Sequence, residues 1–393
     1  MTSPSLTNPL PLVVLHGFPS WLPLTQTWMY NLVRFLPPDI EAHIVCETTE
    51  NLETFRLPNI HRFSEEPRWR YYRDCLLRLS GIRRHLGFLV DQARRVRANL
   101  LHSHFGNVGW ENLDVPRRAR VKHVVSFYGF DASYLPSRNP AWRKRYLELF
   151  GTIDLALCEG PHIAECVKAL GCPPDKVSVH HLGVPLAEIG FHPRTWHPFE
   201  TLRILIAASF QEKKGIPFAL EALGRIRKEI PLEITIIGDA NEETRSKVEK
   251  QRILAAIERN GLTPHTRLLG YQSHAVLFEH AYAHHVFLSP SITASDGDTE
   301  GGVPVTLIEM CATGMPVVST RHCDIPEVVK DGVTGLLAGE GDIDGLVNRL
   351  RWLLANQDRW LPMVEAGRKH LESEYDARTQ GEHLGRIYHR VVG

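Results

Sequence analysis

Short runs of consecutive apolar residues alternate with longer stretches of helical spacing along most of the chain. The run PLVVLHGF (residues 11–18) reads as a strand closed by a turn at His16-Gly17, WMYNLVRFL as a helix, and EAHIVCE as a second strand. YYRDCLLRLSGIRRHLGFLVDQARRVR predicts one long basic helix. LLHSHFG, VKHVVSFYG and IDLALCEG predict strands that end in turns, followed by the helix PHIAECVKAL and the strand KVSVHHLG. FHPRTWHPFETL breaks this rhythm with two prolines and no periodicity, as a linker does. A second series then begins: RILIAASF, LEITIIGDA, RLLGY, HHVFLSPS, MPVVSTR and TGLLAGE as strands, with helical segments between them.

Alternation of this kind implies βαβ units, and strands written as unbroken apolar runs imply parallel sheets covered on both faces. The fold class expected is α/β, with two doubly wound, Rossmann-like domains facing across a cleft. Residues 1–193 form the first domain and residues 201–375 the second. Residues 376–393 form a last helix expected to pack back toward the first domain. Ligands in such sheets sit beyond the carboxyl ends of the strands.

Composition narrows the function without naming it. The chain has 393 residues with 45 basic and 45 acidic side chains, so it lacks the basic excess of a dedicated nucleic-acid binder. Its seven cysteines form no C-x-x-C pair, which fits reduced thiols rather than a zinc or disulfide framework. No secretory leader and no apolar run of membrane-spanning length is visible, so the cytoplasm is the expected location. The HG pair at residues 16–17 also opens many α/β-hydrolases, but no serine has glycine at both −2 and +2, so the nucleophile elbow is missing.

The most informative stretch is SPSITASDGDTEGGVPVTLIEMCATGMPVVST, residues 289–320. A Ser/Asp/Gly loop leads into a helix opened by Pro304 and stopped at Gly314. Gly301 and Gly302 then present backbone N–H groups at the positive end of that helix, a place for an anion such as a diphosphate. Glu300 and Glu309 flank it, and a carboxylate accepts paired hydrogen bonds from a vicinal diol. The alternative is that both glutamates are solvated. Asp296 and Asp298 have the spacing of a metal-binding D-x-D, but they also suit loop and cap positions. His102 and His104 share one strand face, yet the sequence indicates no third metal ligand.

The run EGGVPVTLIEMCATGMPVVSTRHCDIPEVVKDGVTGLLAGEGD resembles the donor-site signature of family 4 retaining glycosyltransferases, which have the GT-B fold. ASFQEKKGIPFALEAL, LEITIIGDA, TRLLGY and CEGPHIAECVKALGCPPDKVSVHHLGVPL fit the same family in order, over about residues 100–345, and the type is that of enzymes building colanic acid and similar exopolysaccharides. The resemblance implies transfer of a hexose, with retention, from a UDP- or GDP-linked donor to a hydroxyl of a glycan or polyprenyl-linked acceptor. No cofactor and no metal are implied. Glu309 would bind the ribose and Glu300 the donor sugar, while Gly301, Gly302, Val303 and Thr306 would hold the donor at the helix start. Lys214 would neutralise the leaving diphosphate, with Ser209, Lys213 and Gly270 also lining the donor site. From the first domain His104, Tyr128 and Asp131 would face the sugar, and Gly17 and Phe18 the phosphates or the acceptor.

Three departures from the family pattern stand out. Eight residues separate Glu300 from Glu309 where seven are common, because of an extra glycine. Ser209 stands where an arginine is often found, and Tyr128 where many members have histidine. The readings left open are another GT-B enzyme, such as a nucleotide-sugar epimerase or a phosphorylase, and a non-catalytic binder of nucleotide sugars. The basic, partly aromatic stretch from Arg68 to Arg97 is a candidate for contact with an anionic membrane, or else a solvated helix face.

Overall fold

A computed structural model describes residues 10–22, 28–53 and 55–393. Seven parallel strands make the first sheet: β1 (Leu12–Trp21), β2 (Ile40–Thr49), β3 (Ile60–Arg62), β4 (Leu100–His104), β5 (Lys122–Phe127), β6 (Leu155–Cys158) and β7 (Val177–Val179). They lie in the order β3-β2-β1-β4-β5-β6-β7. The second sheet has six: β8 (Leu202–Ala207), β9 (Leu232–Ile237), β10 (Thr266–Leu268), β11 (Val286–Ser289), β12 (Val317–Thr320) and β13 (Leu336–Ala338). Their order is β10-β9-β8-β11-β12-β13. In each sheet the order reverses beside the first strand, between β1 and β4 and between β8 and β11. These are the points where a doubly wound sheet opens a crevice.

The apolar runs explain the layering. Ile204, Ile206, Ile234 and Ile236 bury one face of the second sheet against the helix Ile216–Ile226, and Leu205, Phe287 and Leu337 bury the other against the helix Val305–Ala312. Two local expectations fail. Strand β1 does not turn at His16-Gly17 but runs on to Trp21, because Gly17, Phe18 and Trp21 pair in register with Val45, Cys46 and Thr49 of β2. The long basic helix is two helices, Arg68–Leu79 and Gly87–Arg95, broken where Gly81 takes a positive φ of 71°.

The chain crosses between the sheets twice, side by side. Val184 donates its amide to the Tyr375 carbonyl at 2.8 Å, and Ala377 donates to the Val184 carbonyl at 2.9 Å. The linker is anchored as well: the Arg194 guanidinium donates to the carbonyls of Ala281, His284 and Thr313. The last helix, Ala377–Val392, packs Leu384, Ile387 and Tyr388 against Val14, Leu100, Val124 and Leu157 of the first sheet. No helix among the described residues is long and apolar enough to cross a membrane.

Candidate donor site between the two sheets

The loops leaving β8 and β11 meet at the second sheet's crevice. The first carries Lys213 and Lys214, the second Glu300. Lys214 Nζ donates to Glu300 Oε2 at 2.7 Å, and Ser291 Oγ donates to Oε1 at 2.7 Å. The Glu300 amide donates to His322 Nε2 at 3.1 Å. That fixes the tautomer of His322, whose Nδ1 donates to Glu340 at 2.8 Å. The Glu300 side chain is only 5% exposed. Burial alone would raise its carboxyl, but Lys214, Lys213 and the two side-chain hydrogen bonds hold it below the ordinary range. Lys213 is committed to Asp298 at 3.1 Å and to the Thr299 carbonyl at 2.9 Å, so it does not stand free to replace the absent arginine at Ser209. Asp296 and Asp298 also pair with Arg245, which accounts for the D-x-D spacing as a salt-bridge cluster.

Glu300 leads directly into Gly301, Gly302 and the helix Val305–Ala312, whose first amides have no acceptor within the helix. Val303 and Thr306 are half-buried at this end. The Glu309 carboxylate, on the same helix, has one hydrogen-bond partner among the described residues, His274, whose Nε2 lies 2.9 Å from Oε1. Around this pair is a cavity of about 240 Å³ lined by Tyr30, Asn31 and Arg34 from the first domain and by Ile189, Ala275 and Phe278. Gly270 takes a positive φ of 67°, and its carbonyl accepts from Gly238 at 2.8 Å, which fixes the loop leading to His274. Sequence reasoning missed His274 and the cavity wall from residues 30–34; no motif records them.

The first domain meets this site with backbone. Gly129, just past β5, lies so close to Glu300 and Gly301 that a Cβ on it would sit 2.5 Å from the Glu300 carbonyl oxygen. A Cβ on Gly302 would collide with the Glu159 carboxyl. Asp324 Oδ1 accepts from the His162 amide at 2.7 Å, capping the first-domain helix Pro161–Ala169 from the second domain.

Five residues expected to face substrate or phosphate are buried in the first domain instead. His104 is fully buried: Phe18 stacks on its ring at 4.0 Å, Nε2 meets His16 Nδ1 at 3.1 Å, and Nδ1 meets the Tyr128 hydroxyl at 2.9 Å. Tyr128 is itself buried, packed against Trp28 and Phe105. Asp131 is also fully buried, accepting from the amides of Tyr128 and Gly106, and burial raises its carboxyl to about 7 despite those bonds. It shapes the turn after β5. Gly17 and Phe18 lie within β1 and are buried, so neither forms a phosphate-facing turn. The third imidazole that the sequence did not indicate is His16. With His102 and His104 it makes the one group of three metal-ligating side chains among the described residues. Both His102 nitrogens are already engaged, by Tyr388 at 2.6 Å and Ser126 at 2.7 Å. Burial lowers all three imidazoles, His16 to about 3.

Comparison with known proteins places this geometry. A family model described as Glycosyltransferase Family 4 matches residues 25–188, and one described as Glycosyl transferases group 1 matches residues 201–356. The chain is 32% identical over 299 residues to the amylovoran biosynthesis glycosyltransferase AmsK of Erwinia amylovora, covering 75% of this chain and 71% of the relative. It is 34% identical over 315 residues to the putative colanic acid biosynthesis glycosyltransferase WcaL of Salmonella typhimurium, covering 78% and 71%. In fold it is similar to Anabaena HepE solved with UDP and glucose, at a TM-score of 0.76 and 15% identity over 96% of this chain and 100% of that one. Sucrose-phosphate synthase from Thermosynechococcus elongatus aligns at a TM-score of 0.71 and 14% identity over 96% and 98%. The two parallel sheets, the crevice between them and these matches lead to one assignment: the chain belongs to the family 4 glycosyltransferases and has the GT-B fold.

Proposed function

We propose that this glycosyltransferase moves a hexose from a nucleoside diphosphate sugar to a hydroxyl of a glycan or lipid-linked acceptor, with retention and without a metal, in exopolysaccharide or lipopolysaccharide synthesis. The observation that carries the reading is the order of groups along one crevice. Glu309 borders a cavity of nucleoside size, the helix start at Gly302–Thr306 offers amides, and the Lys214–Glu300 pair closes the far end at 2.7 Å. The ribose would take Glu309, the diphosphate the helix start, and the sugar hydroxyls Glu300. Lys214 would turn from Glu300 to the diphosphate as the glycosidic bond breaks and charge gathers there. Transfer would proceed by front-face attack, with the departing phosphate taking the acceptor proton. His104 belongs on this scheme to the first domain's buried interior and not to the reacting groups.

On the acceptor side, the helix Arg68–Leu79 and the loop after it expose Trp69, Tyr72, Leu76, Leu79 and Ile82, by 62–86% of their surface. Arg70, Arg78, Arg83 and Arg84 are paired with carboxylates. Contact with a membrane bearing a lipid-linked acceptor would therefore rest on these aromatic and aliphatic side chains more than on charge. Cytoplasmic placement beside the inner leaflet fits this reading.

The test is a thermal-shift panel of UDP, GDP, ADP and dTDP on wild type and Glu309→Ala, followed by transfer assays with sugars of the nucleotide that binds. Stabilisation of wild type by one nucleotide, abolished in Glu309→Ala, and transfer to acceptor support the reading. Binding without transfer or hydrolysis would favour the non-catalytic reading, to which the serine at position 209 already points.

A further inference from the structure

The geometry points to Glu159 as a specificity-determining residue that faces the donor sugar from the first domain and restricts the site to uncharged hexoses, rejecting hexuronates. This rests on Glu300 being the sugar-binding carboxylate. Glu159 follows β6, and its carboxyl lies against Gly302, one residue beyond the glycine that touches Gly129. Its main-chain carbonyl accepts from His181 at 2.7 Å, but no hydrogen bond holds its carboxyl among the described residues. It therefore enters the crevice with its hydrogen-bonding capacity unused, opposite Glu300.

The surroundings set what it accepts. Asp324, 3% exposed, keeps Oδ2 buried without a partner, and that oxygen lies against Gly160, next to Glu159. Asp131 and Glu300 also act on Glu159, and burial together with these three acids pushes its carboxyl well above the ordinary range. The two lysines at this end are spent, Lys213 on Asp298 and Lys214 on Glu300. The diphosphate's charge is met at the helix start and by Lys214 when released; nothing comparable is left for an anion on the sugar. Hydroxyls bind a carboxyl in either protonation state, whereas a sugar carboxylate would add a further charge to a cluster that already holds a proton to relieve its own repulsion.

Titration of full-length protein with UDP, GDP, UDP-glucose, UDP-glucuronate, GDP-mannose and GDP-mannuronate tests this at pH 7.5. For the nucleotide that binds, wild type should prefer the hexose over the hexuronate by at least about tenfold. Glu159→Lys should shrink that gap by about tenfold, and Glu159→Ala should weaken the hexose conjugate but not the free nucleotide. Glu159→Gln, with the shape of the protonated acid, should keep both hexose affinity and the gap, and reports that the fold survives. Equal binding of hexose and hexuronate by wild type, or an unchanged gap in Glu159→Lys, overturns the assignment while leaving the donor site intact. Failure of both free nucleotides to bind overturns the donor-site reading and this inference with it.

Discussion

Gly129 and Gly301 touch backbone to backbone across the cleft, and a Cβ on Gly301 would overlap the Gly129 Cα. Here lies the physical reason for the extra glycine in the EGG motif: the turn can approach the first domain only without side chains. Gly129 sits in ordinary helical space, with φ −65° and ψ −47°. Alanine there costs no backbone strain and acts by sterics alone. Gly129→Ala should hold the domains slightly apart, lowering kcat by about tenfold or more while leaving free-nucleotide affinity within about twofold. Steady-state kinetics beside small-angle scattering checks this, and an unchanged kcat would show that this contact is not part of the working enzyme. Gly301→Ala adds strain at its φ of +78° and should be the worse of the two.

The Lys214–Glu300 pair should divide binding from chemistry. Lys214→Met removes the cation that meets the leaving group, so kcat should fall by about 10²–10³. Glu300→Gln keeps size but loses the charge-assisted acceptor, raising KM for the sugar nucleotide with little change in the inhibition constant of the free nucleotide. An equal loss for sugar nucleotide and free nucleotide in Glu300→Gln would remove Glu300 from the sugar.

His274 and Glu309 compete with the nucleoside for each other. The hydrogen bond to Glu309, set against partial burial, raises the His274 imidazole above its ordinary value. Below that raised value the cation holds Glu309 and the pair adds stability; as pH rises through it, that contribution is lost and Glu309 is released. Nucleotide affinity should therefore rise between about pH 6 and pH 8 in wild type, and more weakly in His274→Ala. Calorimetric titration at several pH values reads the slope, and parallel slopes in the two proteins would rule out the competition.

Acid should unfold this chain early. Burial depresses His16, His85, His123, His180, His284 and His285 to about 3–4, and His102 and His104 well below normal. Between those values and the ordinary 6.5 of an unfolded imidazole, the unfolded chain binds more protons, so stability falls as pH drops through that window. Each such group contributes up to about 1.4 kcal/mol per pH unit. Asp131, raised to about 7, Glu159, raised well above its ordinary value, and the smaller rises at Glu111, Glu249 and Asp324 work in the opposite direction, but the eight imidazoles outnumber these five carboxyls. Melting temperature should drop steeply from pH 7 to pH 5, and a flat profile there would mean the imidazoles are not buried as described.

Much of this was legible in the chain. The unbroken apolar runs predicted nearly every strand, since strands buried on both faces need no alternation. The EGG run and the helix after it suggested an anion site flanked by two carboxylates, and the resemblance made it a donor site; the folded chain brings Glu300 and that helix to the second sheet's crevice. What stayed hidden was set by partners distant in sequence. Gly17 and Phe18 look like a turn until β2 is seen to pair with them, and Gly81 looks like a tolerated helical glycine. His104 ends a strand as a substrate-facing residue would, yet Phe18, His16 and Tyr128 enclose it. His274 belongs to no motif and Glu159 stands in a run that assigns it no role, and only the folded chain brings them beside Glu309 and Gly302.

Leu384, Ile387 and Tyr388 complete a core whose other members lie between Leu12 and Leu157. During synthesis, the first sheet leaves the ribosome long before the helix that covers it. Until residues 377–392 emerge, that face of β1 and β4 is open, and His102 lacks the Tyr388 hydroxyl. The second sheet, with its helices nearby in sequence, has no such wait. The later-made half can thus finish first, and the earlier half closes only when the polypeptide returns to it.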